Sequence, residues 1–413
     1  MRQSAESGVF LMEKHRIEAV LDKNLNWFLN SGIMNPASGF WGVAERIWIC
    51  GDPELRARVL DSFNSFTVHD THTVIESRRA DCNFQAAFLF LLAGREETAR
   101  NLLDFLYFRS GLLNRGATRG AKENMAGVWN WSHTMWRQTL YFDDNSWALA
   151  LALILARMRP DLEKRYDMLK WADLLARQMT KAFQRSFEHA KTIEANDSSD
   201  PEGIWLGRPL LPHWGSLTCF ALSHAVRAGI GDAEEMTKTV NVYHDYLESL
   251  PENGLNASEL AYALIGATTA YKCLGGKRFL MLSETFADRL LGRMDPVTGN
   301  IPAEHYEAPQ GRHLVDTIYT ANWVLLGFQN LAHINPAYQA AFDKMLTLFE
   351  TIQDRSPEPH VSGCWRGMFD MKANTWGGGD RYEGGAGSIY SGWTNAPVAI
   401  VFAGELAGRT LAD

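Results

Sequence analysis

The sequence predicts an all-α protein, a toroid of twelve helices forming an (α/α)6 barrel in a single domain over residues 1–413. Three observations predict it. Apolar residues recur at i, i+3, i+4 and i+7 along nearly the whole chain, the period of a helix with one buried face. Alternating strand patterns of useful length are almost absent. The helices also come in a repeated order: an apolar helix rich in small residues, a short connection, then a more charged amphipathic helix.

Taken along the chain, an amphipathic helix opens the sequence in LMEKHRIEAVLDKNLNWFLNSG. Next come CNFQAAFLFLLAG with REETARNLLDFLYF, then NSWALALALILARM with YDMLKWADLLARQMTKAF across the break RPDLEK. The later pairs are WGSLTCFALSHAVRAG with EEMTKTVNVYHDYLESL, SELAYALIGATTAYKCLG with RFLMLSETFADRLLGRM, and TIYTANWVLLGFQNLA with YQAAFDKMLTLFETI. A lone apolar helix, IYSGWTNAPVAIVFAGELAG, closes the chain. Apolar helices are thus expected to begin near residues 82, 144, 214, 258, 316 and 389, and amphipathic ones near 10, 96, 163, 234, 278 and 337. Helices apolar all round belong inside a core and helices with one polar face outside it. A closed ring of six hairpins satisfies both sets if the two ends pair as the sixth.

Connection lengths give the ring a working face. Turns from an apolar helix to the next amphipathic one are short, whereas the return connections, 31–81, 109–143, 185–213, 251–257, 294–315 and 354–388, are mostly long. Long loops usually carry function, and all of these lie at the N-termini of the inner helices. Helix N-termini gathered at one mouth present unpaired N–H groups and the positive end of the dipole.

Composition narrows the partners. No Pro-, Ser- or Gln-rich tract suggests a linker, and a net charge of −8 without a Lys/Arg cluster argues against nucleic acid. No signal-like N-terminus and no run of eighteen apolar residues is seen, so a soluble cytoplasmic protein without a membrane partner is expected, a trimmed signal peptide being the alternative. A homo-oligomer is left open. Cys50, Cys82, Cys219, Cys273 and Cys364 are scattered and never form a CxxC pair, so neither disulfides nor zinc is suggested. His69 and His72 form an HxxH without a third ligand, and no metal is expected. GGGD and YEGGAG do not match a phosphate loop, and no cofactor is expected.

The strongest local signal is WNWSHTMWRQTLYFDDNSWALA. Asp143 and Asp144 stand at the start of the most apolar helix, ringed by Trp129, Trp131, His133, Trp136, Tyr141 and Trp147. An aspartate there is either an N-cap or a catalyst; capping alone does not explain two adjacent acids among so many aromatics. Cleaving a glycoside typically takes one protonated carboxyl for the leaving oxygen and a second carboxylate to activate water or attack. Asp81 and Asp316, which precede other inner helices, are the candidate second carboxylates, each with a capping alternative.

Around them the loops offer Glu76, Arg78, Arg79, His213, Trp214, His305, Glu307, Tyr319, Trp365, Arg366, Arg381, Tyr382 and Trp393 as candidate substrate contacts. Arginines suit bidentate pairing with a uronate, and tryptophans in Gly-rich segments suit stacking on a sugar ring. The bland alternatives are ion pairs with neighbouring acids for the arginines and loop packing for the tryptophans.

With YFDDNSWALA at an inner-helix start, and aromatic loops at the mouth, the chain resembles the six-hairpin glycosidases, the superfamily that includes unsaturated glucuronyl hydrolases and some β-glucuronidases. The resemblance implies a glycoside hydrolase acting on an anionic, uronic-acid-containing oligosaccharide, with Asp143 or Asp144 as general acid and Asp81 matching a second acid at an earlier inner-helix start. Two other chemistries share the architecture: sugar 2-epimerases, for which His213 with His305 or His313 would serve, and polysaccharide lyases, for which Tyr141, Tyr319 or Tyr382 would. A non-catalytic glycan-binding toroid is the remaining alternative.

Overall fold

The computed structural model describes residues 2–49, 54, 57, 61, 65–116, 125–134, 140–193, 200–305, 310–378 and 385–413. Six apolar helices form the inner layer: α2 (Ala80–Leu92), α4 (Phe142–Met158), α6 (Pro212–Ala228), α8 (Ala257–Leu274), α10 (Ala321–Ala332) and α12 (Ala396–Ala407). Their outer partners are α1 (Arg2–Asn30), α3 (Glu96–Asp104), α5 (Met168–Ala190), α7 (Ala233–Ser249), α9 (Lys277–Leu291) and α11 (Gln339–Ile352). Each inner helix packs on the next, and α12 packs on α2, so the inner ring closes. The first and last helices, α1 and α12, pack together as the sixth hairpin.

Burial follows the sequence logic. Helix α4 is buried continuously from Phe142 to Ala156, whereas α5 buries one stripe that includes Trp171, Leu175, Met179 and Phe183. No described helix is long and apolar enough to cross a membrane. The break RPDLEK is itself helical, a short piece over Pro160–Tyr166 started by its proline.

Two inner helices begin later than their apolar patterns suggest. Residues 314–316 and 388–390 are strands instead, because backbone partners in other loops capture them. Strand β6 (Leu314–Asp316) pairs with β7 (Met368–Asp370), which also pairs with β8 (Thr375–Trp376). Strand β9 (Ser388–Tyr390) pairs with β1 (Arg46–Trp48), part of a four-stranded sheet ordered β2 (Phe66–Val68), β3 (Thr73–Ile75), β1, β9. Remaining strands, β4 (Leu140–Tyr141) and β5 (Trp205–Leu206), form a parallel pair. These short ladders stitch the long loops together over the N-terminal ends of the inner helices, which is where the site lies.

Candidate active site

Arg79 is the hub of the mouth. It occupies the extended residue before α2, and its guanidinium donates to Asp81 Oδ1 at 3.2 Å, Asp81 Oδ2 at 3.1 Å and Asp144 Oδ1 at 2.6 Å. The same guanidinium lies 5.6 Å from the ring centres of both Trp131 and Trp393, close enough for cation–π attraction. Burial opposes the charge on Arg79, but Asp144 and Asp81 outweigh it and hold the guanidinium protonated.

Asp143 and Asp144 sit in the first turn of α4, yet neither caps it. No side chain caps at Tyr141, and the carboxylates turn away from the helix: Asp144 to Arg79, and Asp143 Oδ2 to His213 Nε2 at 3.1 Å. Asp143 Oδ1 is buried and has no hydrogen-bond partner. Burial pushes the Asp144 carboxyl well above the usual range; Arg79 opposes this, and the charges of Asp81 and Asp143 reinforce it. Two carboxylates at the head of one apolar helix therefore have different surroundings.

A pocket of about 200 Å³ opens over this pair, lined by Arg79, Trp131, Tyr141, His213, Tyr319 and Trp393 among others. Trp214, Ile318 and Tyr390 complete its wall. Trp393 reaches the pocket because Gly392 lets the preceding turn press on α2: a Cβ there would lie 2.5 Å from Cys82 Cα. From that position Trp393 Nε1 donates to Asp81 Oδ2 at 2.7 Å.

His213 opens α6 and is held on several sides. Its ring stacks on Trp214 at 4.4 Å and on Tyr262 at 4.7 Å, and its backbone N–H donates to Glu259 Oε2 at 2.8 Å. Glu259 is absent from the sequence-derived candidates. The motif NASE explains why: Asn256 caps α8 by accepting from the Glu259 N–H, so Glu259 reads as part of a helix start, and only the fold carries its side chain across to His213.

Other candidates are placed elsewhere. Asp316 ends β6 and does not head an inner helix: Oδ1 accepts the N–H groups of Ile318 and Tyr319 at 3.0 Å each, and Oδ2 accepts from the Thr320 hydroxyl at 3.1 Å. Burial raises its carboxyl to about 6, against the pull of those hydrogen bonds. Asp81 is fully buried behind Arg79 and does not line the pocket.

Trp129 packs against Phe84 and Tyr107 in the core, and Trp365 donates to the Phe349 carbonyl at 2.7 Å, also in the core. Arg78 is spent on Glu76 at 2.5 Å and Arg366 on Asp354 at 2.6 Å. His133 Nδ1 accepts the Arg78 N–H at 3.0 Å outside the pocket. His305 stacks face to face on Tyr319 at 4.0 Å, 6.3 Å from His213, and burial with the nearby His213 lowers it to about 2. Glu307, Arg381, Tyr382 and Trp136 lie outside the described residues. His69 and His72 stack in a row with His360, and no group of described residues has the arrangement of a metal site.

By sequence the chain matches no protein-family model and no curated protein. By structure it is similar to several solved proteins over nearly its whole length. A cellobiose 2-epimerase from Spirochaeta thermophila is 12% identical over 97% of this chain and 98% of that one, with a TM-score of 0.61. An unsaturated glucuronyl hydrolase from Streptococcus agalactiae is 13% identical, covering 97% and 94%, with a TM-score of 0.56. An α-1,6-mannanase of a Salegentibacter species is 12% identical, covering 95% and 99%, with a TM-score of 0.54. Likeness at this level of identity establishes a shared architecture, and the chain has the six-hairpin (α/α)6 barrel of these proteins.

Proposed function

We propose that the protein is a carbohydrate-active enzyme, and specifically a glycoside hydrolase in which Asp144 is the general acid and Asp143 the second carboxylate. One observation carries this: an adjacent pair of buried aspartates, unspent on capping, opens into a small aromatic pocket, and their surroundings differ. Asp144 is raised by burial and by its acidic neighbours, so it keeps a proton for the leaving oxygen. Asp143, oriented by His213 through Oδ2, keeps Oδ1 without a hydrogen-bond partner. It acts as the carboxylate that attacks the anomeric carbon or activates water. Trp131, Trp214 and Trp393 supply faces for a sugar ring, and about 200 Å³ suits one ring rather than a longer segment.

Among the similar structures, the mannanase is an inactive variant in which two consecutive aspartates are replaced by asparagine, and Asp143 and Asp144 are likewise consecutive. A charged substrate is supported less well than hydrolysis itself. Of the arginines expected to grip a uronate, those among the described residues are committed: Arg79 to two aspartates, Arg78 to Glu76 and Arg366 to Asp354. With Asp143 and Asp144 both facing the pocket, an uncharged pyranose is the better-matched ligand.

A second chemistry, epimerisation at the carbon beside a sugar carbonyl, draws on His213 and His305, but His305 is fully buried behind Tyr319 and poorly disposed to take up a proton. The test is a panel of neutral glycosides, saturated uronides and unsaturated uronides. Hydrolysis releases reducing sugar, and cleavage of an unsaturated uronide also consumes its ultraviolet absorbance. A lyase would create that absorbance, and an epimerase would change neither signal while altering the sugar's configuration. Asp143→Asn and Asp144→Asn should each abolish turnover of the active substrate; intact turnover in both overturns the assignment.

A further inference from the structure

The opposite end of the barrel, where inner helices finish, holds a second cavity that the proposed chemistry does not use. It measures about 270 Å³, with Leu153, Ala156 and Leu169 forming an apolar wall and Arg157, Arg227 and His224 a polar one. Arg157 lies in the last turn of α4 and Arg227 in the last turn of α6. These are the two helices whose first turns carry Asp143, Asp144 and His213.

The cations here are crowded. Burial lowers the pKa of Arg157, and Arg227 and Arg409 lower it further by repulsion, while Asp413 and Cys273 oppose the fall. Lys272 holds the Asp413 side chain at 2.7 Å, which leaves that carboxylate shared among several positive groups. The arginines otherwise donate to main-chain oxygens and an imidazole. Arg227 donates to the Ala412 carbonyl at 3.2 Å and pairs with His224 Nδ1 at 2.9 Å, and Arg157 donates to the Asp413 main-chain oxygen. The Arg227 Nε is buried without any partner. His224 cannot relieve the crowding, because burial and the two arginines keep it neutral.

Cations near helix C-termini offset the negative end of the dipole, and this accounts for a basic residue in each last turn. It does not account for two arginines converging on one cavity with a buried donor left over. We propose that this cavity is a binding site for a small oxyanion, phosphate or the phosphate head of an organic ester, held between Arg157 and Arg227 with any carbon part on the Leu153 and Leu169 wall. Planar guanidinium groups match tetrahedral oxyanions through paired hydrogen bonds, and an anion placed here would remove the repulsion between the arginines.

The experiment is a thermal-denaturation titration of the whole protein with inorganic phosphate at constant ionic strength, with chloride as the control anion and a small alkyl phosphate as a parallel arm. A specific ligand of the folded state should raise Tm saturably, by about 2 °C or more. A larger rise with the ester than with phosphate would identify the organic phosphate as the preferred source. Arg157→Gln and Arg227→Gln together should remove the response while the circular-dichroism spectrum stays native, and Arg157→Lys should weaken it. An unchanged wild-type Tm, or equal shifts in wild type and double variant, would overturn the proposal. The readout is binding, so it stands or falls independently of what the opposite mouth catalyses.

Discussion

Asp144 and Asp316 invite comparison, since both precede or open apolar inner helices in sequence and both are almost wholly buried, at 2% and 0% exposure. Burial raises the carboxyl of each. Their oxygens have opposite uses. Asp316 gives both to its own turn, two backbone N–H groups and a hydroxyl within four residues. Asp144 gives nothing to its own helix; it reaches Arg79, 65 residues away in the chain, and faces the pocket. A buried acid satisfied by its neighbours holds a loop in shape, whereas one held by distant charges remains available for a proton transfer.

The most severe way to break the comparison is Asp144→Asn. Loss of a general acid should lower kcat/KM by about 10²- to 10⁴-fold, with a Tm close to that of the wild type; retained turnover would place Asp144 with Asp316 as a structural acid. Arg79→Met comes next. It strands Asp81 and Asp144 without their cation and should cost about 3–5 kcal/mol at neutral pH, read from the urea midpoint. Burial already raises the Asp144 carboxyl, and without the opposing cation it rises further, so the loss should shrink as pH falls and Asp144 takes up its proton. Absence of that recovery would mean that the pairs contribute little.

Asp81→Asn sharpens the comparison more gently. In the proposed mechanism Asp144 acts in its protonated form, which the charge on Asp81 favours. Removing that charge should lower the Asp144 pKa and move the basic limb of the kcat/KM profile to lower pH; an unmoved or upward-shifted limb counts against Asp144 as the acid.

Asp316→Asn should have the smallest effect. The asparagine carbonyl can still accept from Ile318 and Tyr319, so activity should stay within about twofold and stability within roughly 1 kcal/mol. Wild-type Asp316 holds a proton in the folded state up to about 6, but only to an ordinary 3.8 when unfolded, so its contribution falls as pH rises through that window. The variant should lack that component of the pH dependence, and a large loss of turnover would reinstate Asp316 as a catalytic candidate.

Much of the architecture was legible because it rests on local patterns. The alternation of apolar and amphipathic helices placed α4 and α6 within a few residues of their observed starts. It ran early for the last two inner helices, where Leu314–Asp316 and Ser388–Tyr390 are drawn into strands by β7 and β1 and a π-helical turn, Ser391–Asn395, leads into α12. The pair Asp143–Asp144 was legible as a candidate site because its residue types and surroundings were unusual in sequence. The fate of the arginines was not, since Arg78 and Glu76 are near in sequence while Arg79 and Asp144, or Arg366 and Asp354, meet only through folded loops. Trp129 and Trp365 look in sequence like Trp131 and Trp393, and only packing separates core rings from pocket rings.

The sequence by itself determined the order of inner and outer helices, the closure of the ring and the face on which the long loops gather. Periodicity and loop length are one-dimensional properties that burial must respect. The tertiary structure alone decided which carboxylates face the pocket, which arginines are already neutralised, and that Glu259 stands behind His213. Most of those outcomes depend on pairings between groups distant in the chain, such as Arg79 with Asp144 and His213 with Asp143 and Glu259, whose strength is set by distance and by exclusion of water.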